Sequence, residues 1–100
     1  MNAPCTDSAA KRLEGELTIQ FASEHRVTLL AMLEETPEDL CLDLSAIEAC
    51  DSSGIQLLLA TRRSLHDRQR ELRIPAVSAS VKQVLDIYGL QPLLQEATAT

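Results

Sequence analysis

The side chains of this chain that have the means to do chemistry are few: the Asp51-Ser52-Ser53-Gly54 turn, His25 and His66, Cys5, Cys41 and Cys50, and the acidic pair Glu34-Glu35. A serine hydroxyl becomes a nucleophile when a base lies within hydrogen-bond reach. His66 fails that test for Ser52. It stands fourteen residues further along the helix that Ser52 opens, and at 1.5 Å of rise per residue that is on the order of 21 Å. His25, near the start of an earlier helix, is expected to be a solvated polar side chain. Glu34 and Glu35 are adjacent, so they point to different helix faces, which suits solvation better than paired acid–base work. The sequence contains no G-x-S-x-G elbow, no Gly-rich phosphate loop and no H-x-x-x-H pair, and holds only three glycines. Neither an enzyme nor a cofactor is expected. Three cysteines without C-x-x-C spacing offer neither a disulfide framework nor a four-ligand zinc site. Cys41 is expected to be a buried packing residue, and a reducing, cytoplasmic setting fits the cysteine usage.

What remains is the D-S-S-G turn, and the chemistry open to it is modification. A phosphoryl group on serine adds about −1.5 to −2 charge, which the unpaired N–H groups and positive end of a helix start accommodate. The fold would tolerate that charge, whereas a partner seated on the turn would be lost to repulsion and desolvation. The same tetrapeptide also suits any strand-to-helix turn. Asp51, Ser52 or Ser53 is expected as the N-cap, and Ser53 is expected to cap rather than to carry phosphate.

Positioning such a turn requires a strand before it and a helix after it. Leu13, Gly15, Leu17, Ile19 and Phe21 share one parity and Glu14, Glu16, Thr18 and Gln20 the other, which predicts a half-buried strand. Val27, Leu30 and Ala31, with Leu29, Met32 and Leu33 alongside, predict a helix whose wet side is Glu24, Arg26, Glu34 and Glu35 and which stops before Pro37. Leu40 to Leu44 reads as a second, short strand ending at Asp43-Leu44-Ser45. A second helix follows the turn, with Ile55, Leu57, Leu58, Leu59 and Leu65 as its apolar stripe and a polar loop from Arg68 to Arg70. Leu72, Ile74 and Val77 form a third strand, which lies at an edge or ends at Pro75, since proline has no N–H to donate. Ser78 or Ser80 caps a third helix carrying Val81, Val84, Leu85 and Tyr88 on one side, and Gly89 sits where a left-handed C-cap belongs. Leu90, Leu93 and Leu94 are expected to fold back as a last turn. This alternation predicts a small α/β domain with crossover connections and at least partly parallel pairing.

One hundred residues, 45% of them hydrophobic and 24% charged, suffice for one soluble domain. The division expected is a flexible tail over 1–10, a domain over 11–95 and a short tail over 96–100. A net charge of −6 opposes a backbone-driven contact with nucleic acid. Arg62, Arg63, Arg68, Arg70 and Arg73 are diluted by Asp67 and Glu71 and read as a solvated face. Phe21 and Tyr88 are the sole aromatic residues, too few to stack bases. No run approaches the roughly 20 apolar residues of a membrane span, so direct membrane insertion is not expected.

Three segments together carry a resemblance: Leu42-Asp43-Leu44-Ser45; Cys50-Asp51-Ser52-Ser53-Gly54-Ile55; and Val81-Lys82-Gln83-Val84-Leu85-Asp86-Ile87-Tyr88-Gly89-Leu90. Over residues 13 to 94 the chain resembles the STAS family, which includes the bacterial anti-sigma factor antagonists. The fold implied is a single STAS-like α/β domain, a small mixed β-sheet with about three to four helices. The resemblance implies phosphorylation of Ser52 by a partner serine kinase and a partner-binding surface at Asp51, Ser52, Ser53, Gly54 and Gln56, with Gly54 permitting a tight approach into the helix. The implied partner is a protein, an anti-sigma factor or serine-kinase-like protein. The family's leading strand and further C-terminal helix are replaced here by a polar tail before Lys11 and by Gln95 to Thr100. Its usual glycine before the third strand is replaced by Asp67-Arg68-Gln69-Arg70. This trimmed form, with Leu13 to Ile19, also resembles compact STAS proteins of chemotaxis histidine-kinase systems and the STAS subunit of a lipid-transport ABC complex, which would dock on a transporter ATPase without a phosphorylation switch.

Overall fold

Two strand–helix–strand crossovers organise the chain. The computed structural model describes residues 10–35 and 38–90. It places β1 at Lys11–Leu17, α1 at Ala22–Glu35, β2 at Leu40–Cys50, α2 at Ser52–Asp67, β3 at Leu72–Val77 and α3 at Ala79–Ile87, with a 3-10 turn at Ile19–Phe21. The strands form one sheet in the order β1-β2-β3, and both neighbouring pairs are parallel. A parallel pair cannot be joined by a tight turn and needs a crossover segment, which α1 and α2 supply. The expected α/β domain is therefore present, and all of its described strands pair in parallel. Cys5, the expected stop at Pro37, the turn at Leu93 and Leu94 and nearly all of both expected tails lie outside the described residues.

One face of the sheet carries the core. Leu13 and Leu17 of β1, Leu40, Leu42, Leu44 and Ile47 of β2, and Leu72 and Ile74 of β3 are buried in a single cluster. The helices meet them with Leu29, Met32 and Leu33, with Ile55, Leu58 and Leu65, and with Val81 and Leu85. Each fully buried aliphatic side chain contributes about 1.5–3 kcal/mol relative to exposure, so this cluster is the main source of stability.

Several elements depart from the sequence expectation. β1 stops at Leu17, and Ile19, expected on its inner face, is 70% exposed. Its pairing ends because the Leu17 carbonyl accepts the Asp51 N–H at 3.2 Å while the Asp51 carboxylate accepts the Ile19 N–H at 3.1 Å. β2 does not end at Asp43-Leu44-Ser45 but runs on to Cys50. Between the pairs Arg12↔Asp43 and Glu14↔Ala46 the register slips by one residue. The buried set accordingly changes parity, from Leu40, Leu42 and Leu44 to Ile47. The Ser45 N–H bonds the Asp43 carboxylate at 2.9 Å within this bulge, and the Ser45 contacts hold that carboxyl below its ordinary range. β3 is an edge strand, and Pro75 falls inside its own irregularity, between Cys41↔Arg73 and Asp43↔Ala76.

In α1 only Leu29, Met32 and Leu33 are buried, while Val27 is 68% and Leu30 43% exposed. Helix α3 is capped by Ser78, whose Oγ accepts the Val81 N–H at 3.3 Å. Ser80 instead donates to the Glu48 carbonyl at 2.9 Å. Gly89 has the expected left-handed φ of 67°, and the Gly89→Asp86 and Leu90→Leu85 bonds close a Schellman motif. Tyr88, at its C-cap, is 56% exposed rather than on the core face. Cys41 occupies the pleat position opposite Leu40 and Leu42; it is half-buried and disulfide-bonded, which corrects both the packing role and the absence of a disulfide expected from the cysteine spacing. Part of the arginine-rich face is tied down within the chain. Arg68 pairs with Glu34 at 3.5 Å and Arg73 with Asp39 at 3.2 Å, and Arg70 donates to the Glu38 carbonyl at 2.7 Å. No described helix is long and apolar enough to cross a membrane.

Candidate functional site

The D-S-S-G turn lies where β2 ends and α2 begins, beside the end of β1. Asp51 is the N-cap of α2: its extended backbone (φ −134°, ψ −174°) lets Oδ1 accept the Gly54 N–H at 3.2 Å. Its other oxygen takes the Ile19 N–H. One carboxylate thus satisfies a helix-start donor and fastens the chain leaving β1 to α2. The expectation left the cap open among three residues and assigned it rather to Ser53. The structure gives it to Asp51, because that residue alone reaches the third N–H from an extended conformation. Asp51 is consequently half-buried, its carboxylate aimed at backbone donors and not at solvent.

With capping done by Asp51, the serines are released from it. Ser52 takes the first helical position and is exposed; Ser53 takes the second and is half-buried. Among the described residues neither hydroxyl has a hydrogen-bond partner. Gly54 is buried in the first turn. A Cβ built there would collide with the Leu17 carbonyl oxygen and lie 2.7 Å from Leu17 Cγ. Close approach of α2 to β1, not an unusual φ, is what demands glycine.

The surface next to Ser52 is an open groove of about 180 Å³ between α2 and the end of α3, lined by Ser52, Ile55, Gln56, Leu59, Tyr88 and Leu90. Ser52 and Gln56 supply its polar rim; Leu59 and Leu90 are half-buried and Tyr88 is exposed. Gln56 stands one turn beyond Ser52 on the same face. The expected site residues Asp51, Ser52, Ser53, Gly54 and Gln56 are contiguous, but Gly54 is interior and Asp51 is turned inward. Sequence reasoning grouped Tyr88 with the core-facing residues of α3, whereas it is exposed on the groove; Leu90 packs against the core cluster as expected and lines the groove as well. Their signal was the Gly89 C-cap, which swings Leu90 back toward α2.

Neither histidine serves Ser52. His66 Nε2 lies 3.3 Å from Glu71 Oε1 at the far end of α2. His25 is not the freely solvated side chain expected: it is half-buried with Nε2 2.7 Å from the Glu16 carbonyl. That carbonyl acceptor makes Nε2 the donor, and the bond ties the start of α1 to β1. Cys50, just before the turn, is half-buried with its thiol directed at the Asp51 carbonyl. Burial, and secondarily the Asp51 charge, push that thiol up to about 11, so it is a poor nucleophile at neutral pH. Among the described residues no cluster of His, Cys, Asp and Glu has the makings of a metal site.

The family model described as "Mlab, STAS domain" matches residues 6–95. An anti-sigma-B factor antagonist of Staphylococcus epidermidis is 29% identical over 83 residues, covering 83% of this chain and 77% of its own length. An anti-sigma-B factor antagonist of Staphylococcus aureus is 28% identical over the same span and coverage.

Proposed function

This chain belongs to the STAS family, and we propose that it acts as an anti-sigma-factor-antagonist-like regulator that docks on a protein partner through the Ser52 turn and α2 and is released when Ser52 is phosphorylated. The observation that carries this reading is the division of labour at the turn. Asp51 caps α2, which leaves the Ser52 hydroxyl exposed and unbonded at the edge of an apolar groove. The N–H groups of Ser52 and Ser53 take no backbone bond among the described residues, so a phosphate there meets donors and the positive helix end. The fold then keeps its core while the docking face gains charge. The relatives' names, anti-sigma-B factor antagonists, support a protein partner that is an anti-sigma factor and a regulatory, non-catalytic role for this chain.

The test is incubation with ATP and a candidate partner serine kinase, followed by intact mass and site mapping. One phosphoryl group on Ser52, absent from Ser52→Ala, is expected; no phosphate on Ser52 sinks the switch. Ser52→Asp should weaken partner binding by about tenfold or more, a change of at least roughly 1.4 kcal/mol, while Ser52→Ala binds constitutively and both fold. Equal binding by the two would reduce the turn to a cap. A second reading rests on the compact, trimmed form of the domain: a STAS subunit docked permanently on the ATPase of a lipid-transport complex. Co-purification with an ATPase subunit in unphosphorylated form supports that alternative. Docking in a chemotaxis histidine-kinase system would instead show as capture by a histidine-kinase-system protein.

A further inference from the structure

Cys41 is disulfide-bonded, while Cys50 keeps a free thiol. The chain has three cysteines, so Cys5 is the partner that remains for Cys41. Cys41 stands near the start of β2, on the sheet face turned away from the helices. Leu40 and Leu42 on either side of it enter the core cluster and Cys41 does not. Its Cα partner on β3 is Arg73, which pairs with Asp39 at 3.2 Å. The Arg73 side chain is only 12% exposed, although β3 is an edge strand and all three helices place their buried residues in the cluster on the opposite face. Arg12, Glu14 and Ser45 elsewhere on the open face are exposed, so the cover is concentrated around Cys41 and its neighbour.

We propose that Cys5 and Cys41 form a reversible intrachain disulfide that fastens the N-terminal segment 1–9 over the open sheet face beside Arg73. The register permits it: Lys11 opens β1 opposite Leu42, so the chain enters the sheet one residue away from Cys41. From Ala10 back to Cys5 the backbone reaches at most roughly 18 Å, well beyond one strand spacing of about 4.8 Å plus the roughly 4–7 Å between the Cα atoms of a disulfide. Formation is an exchange with a low-molecular-weight disulfide such as oxidised glutathione. The thiolate of one cysteine attacks it and displaces one small thiol; the second cysteine then attacks the mixed disulfide and displaces the other. The two protein thiols are oxidised and the small disulfide is reduced to two thiols. Cys41 is half-buried on an open face, and accessible disulfides are those that the thiol pool opens again. Cys50 does not compete, because it packs against the core at the other end of β2 with its thiol directed at the Asp51 carbonyl. The closed loop takes in β1 and α1, so the bond restricts the unfolded chain and stabilises the folded one. Cys41 and Ser52 lie at opposite ends of β2, on the order of 30 Å apart, and the clasp therefore works whether or not Ser52 is a switch.

The test equilibrates the full-length chain with graded ratios of reduced and oxidised glutathione, quenches with acid, and alkylates the denatured protein with N-ethylmaleimide for intact mass. At oxidising ratios a single label is expected, on Cys50, and a non-reducing digest should contain the Cys5–Cys41 cross-linked peptide. At reducing ratios all three cysteines of the chain should be labelled, and the two forms should interconvert in both directions. Cys50→Ser keeps the cross-link, whereas Cys5→Ser and Cys41→Ser lose it. The melting midpoint of the oxidised chain should stand several degrees above that of the reduced chain, and Cys5→Ser should melt as the reduced chain does under either condition. Three labels at every ratio, a cross-link to Cys50, or a disulfide-linked dimer in place of the intrachain bond overturns the proposal. So does a cross-link that persists at the most reducing ratio, or a melting midpoint indifferent to the bond.

Discussion

At Gly54 a single hydrogen atom decides how near a helix can lie to a strand. The obstacle to any side chain there is the backbone carbonyl of Leu17, which cannot rotate away, and Leu17 is itself fully buried. Gly54→Ala must push α2 off β1 and disturb the Asp51 bonds to Ile19 and Gly54 together. An overpacking cost of about 3 kcal/mol is expected, read as a lowered urea midpoint; an unchanged midpoint would show that the approach is not tight. Cys50 offers a pH test at the same turn. Its folded value is raised to about 11 from an ordinary value of 9.0, so between these the folded state holds the proton more firmly than the unfolded one. Stability contributed by the neutral thiol is full below about 9 and is lost as pH rises toward 11. Chemical denaturation of Cys50→Ala should show a shallower loss across that window than the parent chain, and alkylation of native Cys50 at pH 8 should be slower than after unfolding.

The helices illustrate how local chemistry sets element ends. Helix α2 ends as α3 does, in a Schellman motif: Gln69→His66 and Arg70→Leu65 bonds close it at 2.9 and 2.8 Å. The residue in the left-handed position is Gln69, at φ 61°, and it is exposed. A non-glycine residue in that region costs roughly 1–2 kcal/mol. Gln69→Gly relieves the strain, gives back part of it as unfolded-chain entropy, and should stabilise by about 0.5–1 kcal/mol. The melting midpoint is expected to rise by a few degrees; a fall would mean that the Gln69 side chain makes a contact of its own. The glycine that the family pattern places in this loop thus has a physical counterpart, the left-handed end of α2. In α1 the element was recognisable but its face was not. From Val27 to Leu33 every residue but Thr28 is apolar, so the sequence supports several burial stripes. Only packing on β1 and α2 selected Leu29, Met32 and Leu33.

At the scale of the molecule, β2 is the one strand among the described residues that is paired on both sides, and four of its residues are buried. Its amides therefore open only when the domain opens. Native-state hydrogen exchange should find the slowest amides within Leu40 to Leu44, with β1 and the Pro75-interrupted β3 exchanging faster. Protection of β3 equal to that of β2 would contradict the sheet order. The same arrangement would let the switch proposed at Ser52 act without disturbing the domain. Ser52 lies outside the core cluster that Ile55, Leu58 and Leu65 of its own helix enter, so charge added at the turn leaves the buried set untouched.

The alternation of strand and helix patterns, the D-S-S-G turn and the Gly89 C-cap were readable in one dimension, because each rests on periodicity or on a backbone requirement that a few neighbouring residues declare. From these followed the α/β class, the family resemblance and the exposed position of Ser52. Contacts between segments distant in the chain were decided only in three dimensions. The bond from Asp51 to Ile19 spans 32 residues; it ended β1 early and freed both serines from capping. The bulge that carried β2 on to Cys50 depends on its register with β1. Which arginines found partners depended on where Glu34, Glu38 and Asp39 came to lie. Local sequence specifies what each segment prefers, whereas the choice of cap, face and unpaired charge is made by whichever neighbour the fold brings within reach.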